Sequence, residues 1–176
     1  MYEPREDSCL LSSVLSAYLK DKERSIKILD MGSGSGIQAE TCRKNGFKNI
    51  FAADIDEQAI LFLKKKKFKA VHSNLFSKIK GKFDLIVFNP PYLPEDKYDL
   101  EKDTTGGKKG YETIIKFLKQ AKKHLNDNGT ILLLFSSFSN PKIIKEEAKK
   151  LGYEIKLLAK KRMFFEELYV CSFTAL

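Results

Sequence analysis

Apolar residues recur with two periods along this chain, and the switching between them predicts an ordered series of helices and strands. Leu10, Leu11, Val14, Leu15, Tyr18 and Leu19 lie three and four residues apart, which places them on one face of a helix over 10–19. Ile26 to Leu29 form a short apolar run ending at Asp30, a strand, and a helix over 37–45 follows, closed by Gly46 as a left-handed C-cap. A second strand over 49–53 ends at Asp54, and Asp56 caps a helix running from Glu57 to about Lys66. Residues 68–72 read as a third strand. Residues 83–88, apolar at nearly every position, read as a fourth that is covered on both faces. Beyond a long polar loop, 111–125 form a helix and Asn128-Gly129 turns the chain into a strand over 130–135. Pro141 opens a helix that Gly152 ends, and runs at 153–158 and 168–173 form a terminal antiparallel hairpin.

This order predicts an α/β fold, a three-layer sandwich around a mostly parallel seven-stranded sheet with a C-terminal antiparallel strand. In such sheets ligands bind beyond the carboxyl ends of the strands, and the unusual residues of this sequence fall there.

Composition narrows the picture without deciding it. The 176 residues suit a single domain over 1–176, in which roughly two thirds of the unfolded surface is buried. Residues 1–25 form an N-terminal segment and helix, and 89–110 a substrate loop. With 43% hydrophobic and 31% charged residues the chain is neither disordered nor fibrous. Apolar runs such as 131–135 are too short to span a bilayer, and Glu3, Glu6 and Asp7 break any secretory signal, so a cytoplasmic protein away from membranes is expected. Cys9, Cys42 and Cys171 form neither a disulfide framework nor a metal site, and Cys9 and Cys171, in apolar segments, read as core residues. The net charge of +9 suits an acidic partner such as nucleic acid, although Lys64 to Lys67, Lys119, Lys122 and Lys123 fall on helices that a solvated face explains equally well.

Asp30-Met31-Gly32-Ser33-Gly34-Ser35-Gly36 follows the first strand and opens a helix. Gly32, Gly34 and Gly36 allow a tight turn and close approach of backbone to a ligand. A dinucleotide loop reads G-x-G-x-x-G, whereas here the spacing is G-x-G-x-G after a carboxylate. Asp30 suits a ligand carrying an ammonium or sulfonium better than a pyrophosphate. Asp54, with Ile55 beside it, ends the second strand where a carboxylate accepts both hydroxyls of a ribose. Past the third strand, Asn74 is placed to meet an adenine amine while Leu75 or Phe76 covers the ring.

Asn89-Pro90-Pro91-Tyr92 comes directly after the fourth strand. The prolines fix φ twice and donate no amide hydrogens, so the carbonyls around them point in set directions. The Asn89 side-chain oxygen and the Pro90 carbonyl then accept two hydrogen bonds from one NH2 group, and Tyr92 offers a flat face to a planar substrate. A carboxamide or adenine amine is a poor nucleophile because its lone pair is delocalised. Two acceptors at its hydrogens hold it, draw out that lone pair and stabilise the positive charge of the forming bond. His72, at a strand end, and His124, near a helix C-terminus, read as boundary residues and not as bases.

Asp30 to Gly36, Asp54 and Asn89 to Tyr92 resemble the class I S-adenosylmethionine-dependent methyltransferases with an NPPY loop, which modify protein glutamines and nucleic-acid amines. Three further segments resemble the archaeal and eukaryotic type of release factor glutamine methyltransferase: Tyr2 to Ser8, Gly106 to Gly110, and Glu166 to Phe173. The resemblance implies S-adenosylmethionine as cofactor, with Glu6 and Ser8 in a segment folded over it. It implies as substrate the glutamine of a Gly-Gly-Gln motif in a class I peptide-chain release factor, and as partner a small zinc-binding activator docked along the sheet edge. Asn74 stands where the family usually has aspartate, which keeps an acceptor oxygen but loses the charge; Lys109 stands where aspartate is common. Only about twenty-five residues precede the first strand, whereas the bacterial type carries a helical domain there. Two rival readings remain at this point: an adenine N6-methyltransferase acting on RNA or DNA, which would stack an unpaired base on Tyr92, and a non-catalytic subunit that binds cofactor or nucleic acid.

Overall fold

The computed structural model describes residues 5–94 and 106–176. Seven strands form one sheet in the order β3-β2-β1-β4-β5-β7-β6: β1 (Ile28–Met31), β2 (Ile50–Asp54), β3 (Lys69–His72), β4 (Phe83–Phe88), β5 (Leu125–Ser136), β6 (Tyr153–Arg162) and β7 (Glu167–Ala175). Neighbours from β3 through β5 pair in parallel, while β7 runs antiparallel to both β5 and β6. Five helices, α1 (Glu6–Leu19), α2 (Ile37–Lys44), α3 (Glu57–Lys65), α4 (Glu112–Ala121) and α5 (Pro141–Lys150), cover the sheet.

Strand side chains alternate between faces, and the core divides accordingly. Leu29, Met31, Phe88, Ile131 and Leu133 pack with Ile114, Phe117 and Ile144 of α4 and α5. Ile28, Ala52, Leu85, Leu132 and Leu134 pack on the other side with Leu11, Leu15, Ala39 and Leu63 of α1, α2 and α3. The interior strands are buried along nearly their whole length, as expected where helices cover both faces.

Several boundaries depart from the periodicity, each for a physical reason. The first helix begins at Glu6, not residue 10, because its opening turn is polar yet inward-facing: Asp7 and Ser8 are buried, and an apolar pattern cannot mark such positions. Acidic Glu6 and Asp7 also suit the positive end of that helix. The first strand lies two residues later than expected, in register with β2 and β4. β5 starts at Leu125 and absorbs 126–129 as an irregularity between Phe83 and Leu85, where Asn126 donates to Asp84 at 2.7 Å. β6 continues through Lys160, Lys161 and Arg162, held by pairing with β7 that no hydrophobic alternation announced. Cys171 is buried as expected, but Cys9 is exposed, since α1 turns Leu11, Leu15 and Leu19 inward instead.

Candidate active site

The parallel register aligns Met31 of β1 with Ala53 and Phe88 of its neighbours, so the segments after β1, β2, β3 and β4 emerge along one edge of the sheet. They enclose a cavity of about 750 Å3 with residues of α1 and of the β6–β7 turn, a size suited to a cofactor and the reacting end of a substrate.

The glycine loop forms one wall. Gly32, Gly34 and Gly36 all have positive φ. Gly32 and Gly34 line the cavity, and a Cβ at Gly32 would come 3.0 Å from the Phe88 ring. Gly36 departs from its expected role. It is the residue before α2, away from the cavity wall, and a Cβ there would meet Leu63 of α3 at 2.7 Å. Its requirement is close packing of α2 on α3.

Asp54 is buried at the end of β2, where Oδ2 accepts from the Gly34 amide at 2.7 Å and Oδ1 from the Asp56 amide at 2.8 Å. The carboxylate is thereby fixed at the cavity wall, and an acceptor oxygen retains lone pairs for ribose hydroxyls. Asp56 caps α3, accepting from Gln58 N at 2.8 Å. Asp30 also lines the cavity, but its Oδ2 is bonded to the Ala39 amide of α2 at 3.0 Å, so it orders the loop and helix as well as facing the ligand space. Burial pushes its carboxyl up to about 7, against the opposing hydrogen bonds from Ser33 and Ala39. A cationic ligand group would offset that burial cost.

Ile55, Asn74 and Leu75 line the same cavity. Ile55 is 63% exposed, an apolar side chain awaiting a cover, and Leu75 sits at φ 47 directly after Asn74. His72 bonds the Ile55 carbonyl at 2.9 Å, and His124 stacks on Phe76 with its Nδ1 2.9 Å from the Gly81 carbonyl. Both histidines are absent from the cavity wall.

The Asn89 to Tyr92 loop meets α1 through a residue that sequence reasoning missed. Asn89 Nδ2 lies 3.0 Å from Asp7 Oδ2 and 3.3 Å from Ser8 Oγ, while Tyr92 donates its hydroxyl to the same Asp7 oxygen at 3.3 Å. An ionised carboxylate only accepts, so the amide nitrogen of Asn89 must face Asp7. That leaves Asn89 Oδ1 buried with no hydrogen-bond partner among the described residues. An acceptor left bare in this way costs stability unless something supplies a donor. Glu6 and Ser8 line the cavity too, and Glu6 pairs with Lys161 at 3.1 Å. Asp7 stands between these two expected residues, inside the Tyr2 to Ser8 segment that carries the resemblance, and that segment was the signal in the sequence that could have found it.

Pro90 is buried, and Pro90, Pro91 and Tyr92 line the cavity. Tyr92 is half-buried, with its carbonyl accepting from Ser139 Oγ at 3.0 Å. The glycine-rich stretch lies on this backbone. Gly106 N donates to Leu93 O at 2.8 Å, and a Cβ on Gly106 or Gly110 would fall 2.6 Å from the carbonyl of Pro91 or Tyr92 respectively. Lys109, where the resemblance leads one to expect aspartate, uses its backbone amide to donate to Glu112 at 3.1 Å, so the turn into α4 is secured without its side chain. The expected roles of residues 1–4 and 95–105 lie outside the described residues. Among the described residues no His, Cys, Asp and Glu cluster could hold a metal ion.

Comparison with known proteins agrees with this geometry. Residues 8–164 match the model of the methyltransferase small domain family. A protein of Methanocaldococcus jannaschii provisionally assigned as a protein N5-glutamine methyltransferase is 36% identical over 181 residues, covering 97% of this chain and 89% of its own length. The release factor glutamine methyltransferase of Borreliella burgdorferi is 34% identical over 144 residues, covering 72% of this chain and 50% of the bacterial enzyme. In fold, the chain superposes on the E. cuniculi Mtq2-Trm112 complex, which methylates the eRF1 translation termination factor, with TM-score 0.83 at 24% identity, covering 99% of this chain and 98% of that one. The cavity size, the backbone-pinned Asp54 and the glycine wall all fit S-adenosylmethionine. The chain belongs to the methyltransferase small domain family and is a class I S-adenosylmethionine-dependent methyltransferase resembling the HemK-like release factor glutamine methyltransferases.

Proposed function

We propose that this enzyme methylates the side-chain amide nitrogen of the glutamine in the Gly-Gly-Gln motif of a class I peptide-chain release factor. The observation that carries the reading is Asn89 Oδ1, a buried acceptor without a donor, held in that orientation by Asp7. Bound S-adenosylmethionine supplies an electron-poor methyl group on a sulfonium sulfur. Asp54 and the loop through Gly34 would hold the cofactor's ribose, Asn74 and Leu75 its adenine, and Asp30 its positively charged end. Asn89 Oδ1 accepts one hydrogen of the target NH2 and the Pro90 carbonyl the other. Both acceptors raise electron density at the nitrogen and stabilise its positive charge as the bond to the methyl carbon forms; the methylated nitrogen is strongly acidic and gives up one of its two protons to water, so a strong base is unnecessary. Tyr92, fixed through its hydroxyl to Asp7, bounds the plane of the amide.

The relatives favour glutamine over a nucleobase: the provisional assignment of the archaeal relative and the name of the bacterial enzyme both specify it. A Trm112-like, zinc-binding partner is part of the same reading. Mtq2 is solved with Trm112, and among the described residues β3 forms the outer edge of the sheet, with β2 on one side of it, an edge suited to pairing with another chain.

The test is transfer of labelled methyl to release factor, tRNA, rRNA and DNA, with and without the activator. Label on the release factor glutamine, lost on Gln→Ala replacement of that residue, is the expected result; label only on a nucleic acid would overturn the reading.

A further inference from the structure

The turn joining β6 to β7 carries two phenylalanines that the fold itself does not use. Phe164 is 94% exposed and Phe165 83% exposed, with their rings edge to face at 5.1 Å. Large apolar side chains this open are uncommon in adjacent pairs and mark contact surfaces. The turn is ordered by its own bonds: Met163 N donates to Glu166 O at 2.8 Å, and Lys161 pairs with Glu6 on α1.

This turn is continuous with the active site. Met163, Glu166 and Leu168 line the same cavity as Asn89 and Tyr92. The Ser136 hydroxyl donates to Glu166, and Glu167 N donates to Ser137 Oγ at 3.0 Å. Ser139, two residues further on, donates to the Tyr92 carbonyl. Between Ser137 and Ser139 stands Phe138, a third exposed aromatic residue at 46%. A bonded path of a few residues therefore joins Phe164, Phe165 and Phe138 to the catalytic loop.

We infer that Phe164 and Phe165, with Phe138, form the docking surface for the protein substrate, gripping an apolar patch beside the loop that carries the target amide. This rests on the proposed substrate reading. A single glutamine side chain offers the cavity little area, so affinity for a protein must come from contacts outside it, and exposed aromatic anchors beside the cavity are suited to that role. The surrounding charge fits the same occupant. Lys160 and Lys161, which lead into the turn, are matched within the chain by Glu167 at 2.8 Å and Glu6 at 3.1 Å, so the open part of the turn is its aromatic pair and the matching patch on the substrate is apolar.

The test is steady-state methylation of intact release factor by the full chain, activator present in every arm, comparing wild type with the double variant Phe164→Ser/Phe165→Ser and with Phe164→Leu/Phe165→Leu. Cofactor affinity, measured by calorimetry, reports on folding of the site. The serine variant should raise KM for release factor tenfold or more while kcat and cofactor Kd stay within about twofold; the leucine variant should restore KM to within about threefold of wild type. An unchanged KM in the serine variant overturns the docking surface while leaving the substrate reading intact. A fall in kcat or in cofactor affinity without a change in KM also overturns it, because the turn would then be shaping the site. Failure of wild type to methylate release factor removes the substrate reading and this occupant with it.

Discussion

The Asn89 side-chain amide donates to Asp7 at 3.0 Å, joining the loop after β4 to the first turn of α1 across 82 positions of sequence. The bond does more than attach two elements. Since the carboxylate only accepts, it fixes which end of the amide faces α1 and which end faces away from it.

Asp7→Asn should therefore impair catalysis out of proportion to binding. The replacement keeps the shape but presents both a donor and an acceptor to Asn89, so either orientation of that amide becomes tolerable. Misplacement of a reacting contact by about 1 Å costs on the order of a hundredfold in rate, and a kcat reduction of about tenfold to a hundredfold is expected, with cofactor Kd within a few-fold. Single-turnover kinetics beside calorimetry checks this; a variant with wild-type kcat would show that Asp7 does not orient Asn89.

Asp30 predicts a pH signature. Its carboxyl is raised from 3.8 to about 7 by burial, so in the absence of cofactor the folded chain keeps a proton that the unfolded chain has released. The contribution of this group to stability is full below pH 3.8, declines as pH rises toward about 7, and is flat above. Wild type should thus lose stability relative to Asp30→Asn across that window in urea titrations, and parallel curves for the two proteins would contradict the assignment. A cationic ligand favours the ionised form, so cofactor affinity of wild type should climb through the same range.

Much of this architecture was legible in the residues. Continuous apolar runs within 49–53 and 83–88, the Asp56 cap and the glycine after α2 placed the central strands and helices within a few positions, because burial and capping are local signals. The cavity residues Asp54, Asn74 and Asn89 were legible because they follow strands whose carboxyl ends converge. Asp7 was not, since its role arises from a contact with a distant loop and a polar helix start resembles solvent-facing sequence. The extension of β6 through Lys160 to Arg162 was hidden for a similar reason: pairing with β7 supplies what side-chain burial does not. Gly36 was legible as a glycine by its place in the loop, but its neighbour Leu63 was invisible until α3 was packed.

Gly36→Ala separates that packing role from ligand contact. The position has φ 79, and the new Cβ would lie 2.7 Å from a Leu63 methyl. Left-handed backbone at a non-glycine residue costs of order 1–3 kcal/mol, so thermal unfolding should fall by several degrees while cofactor affinity of the folded protein stays within a few-fold. A stable Gly36→Ala protein that had lost cofactor affinity alone would return Gly36 to the cofactor wall.

The most direct test of the catalytic account is Asn89→Ala, measured for both cofactor affinity and methyl transfer to the substrate. The account predicts cofactor Kd within a few-fold of wild type and transfer reduced about a hundredfold or more, since the contact removed is made chiefly at the reacting nitrogen. Transfer at a rate near that of wild type would contradict it.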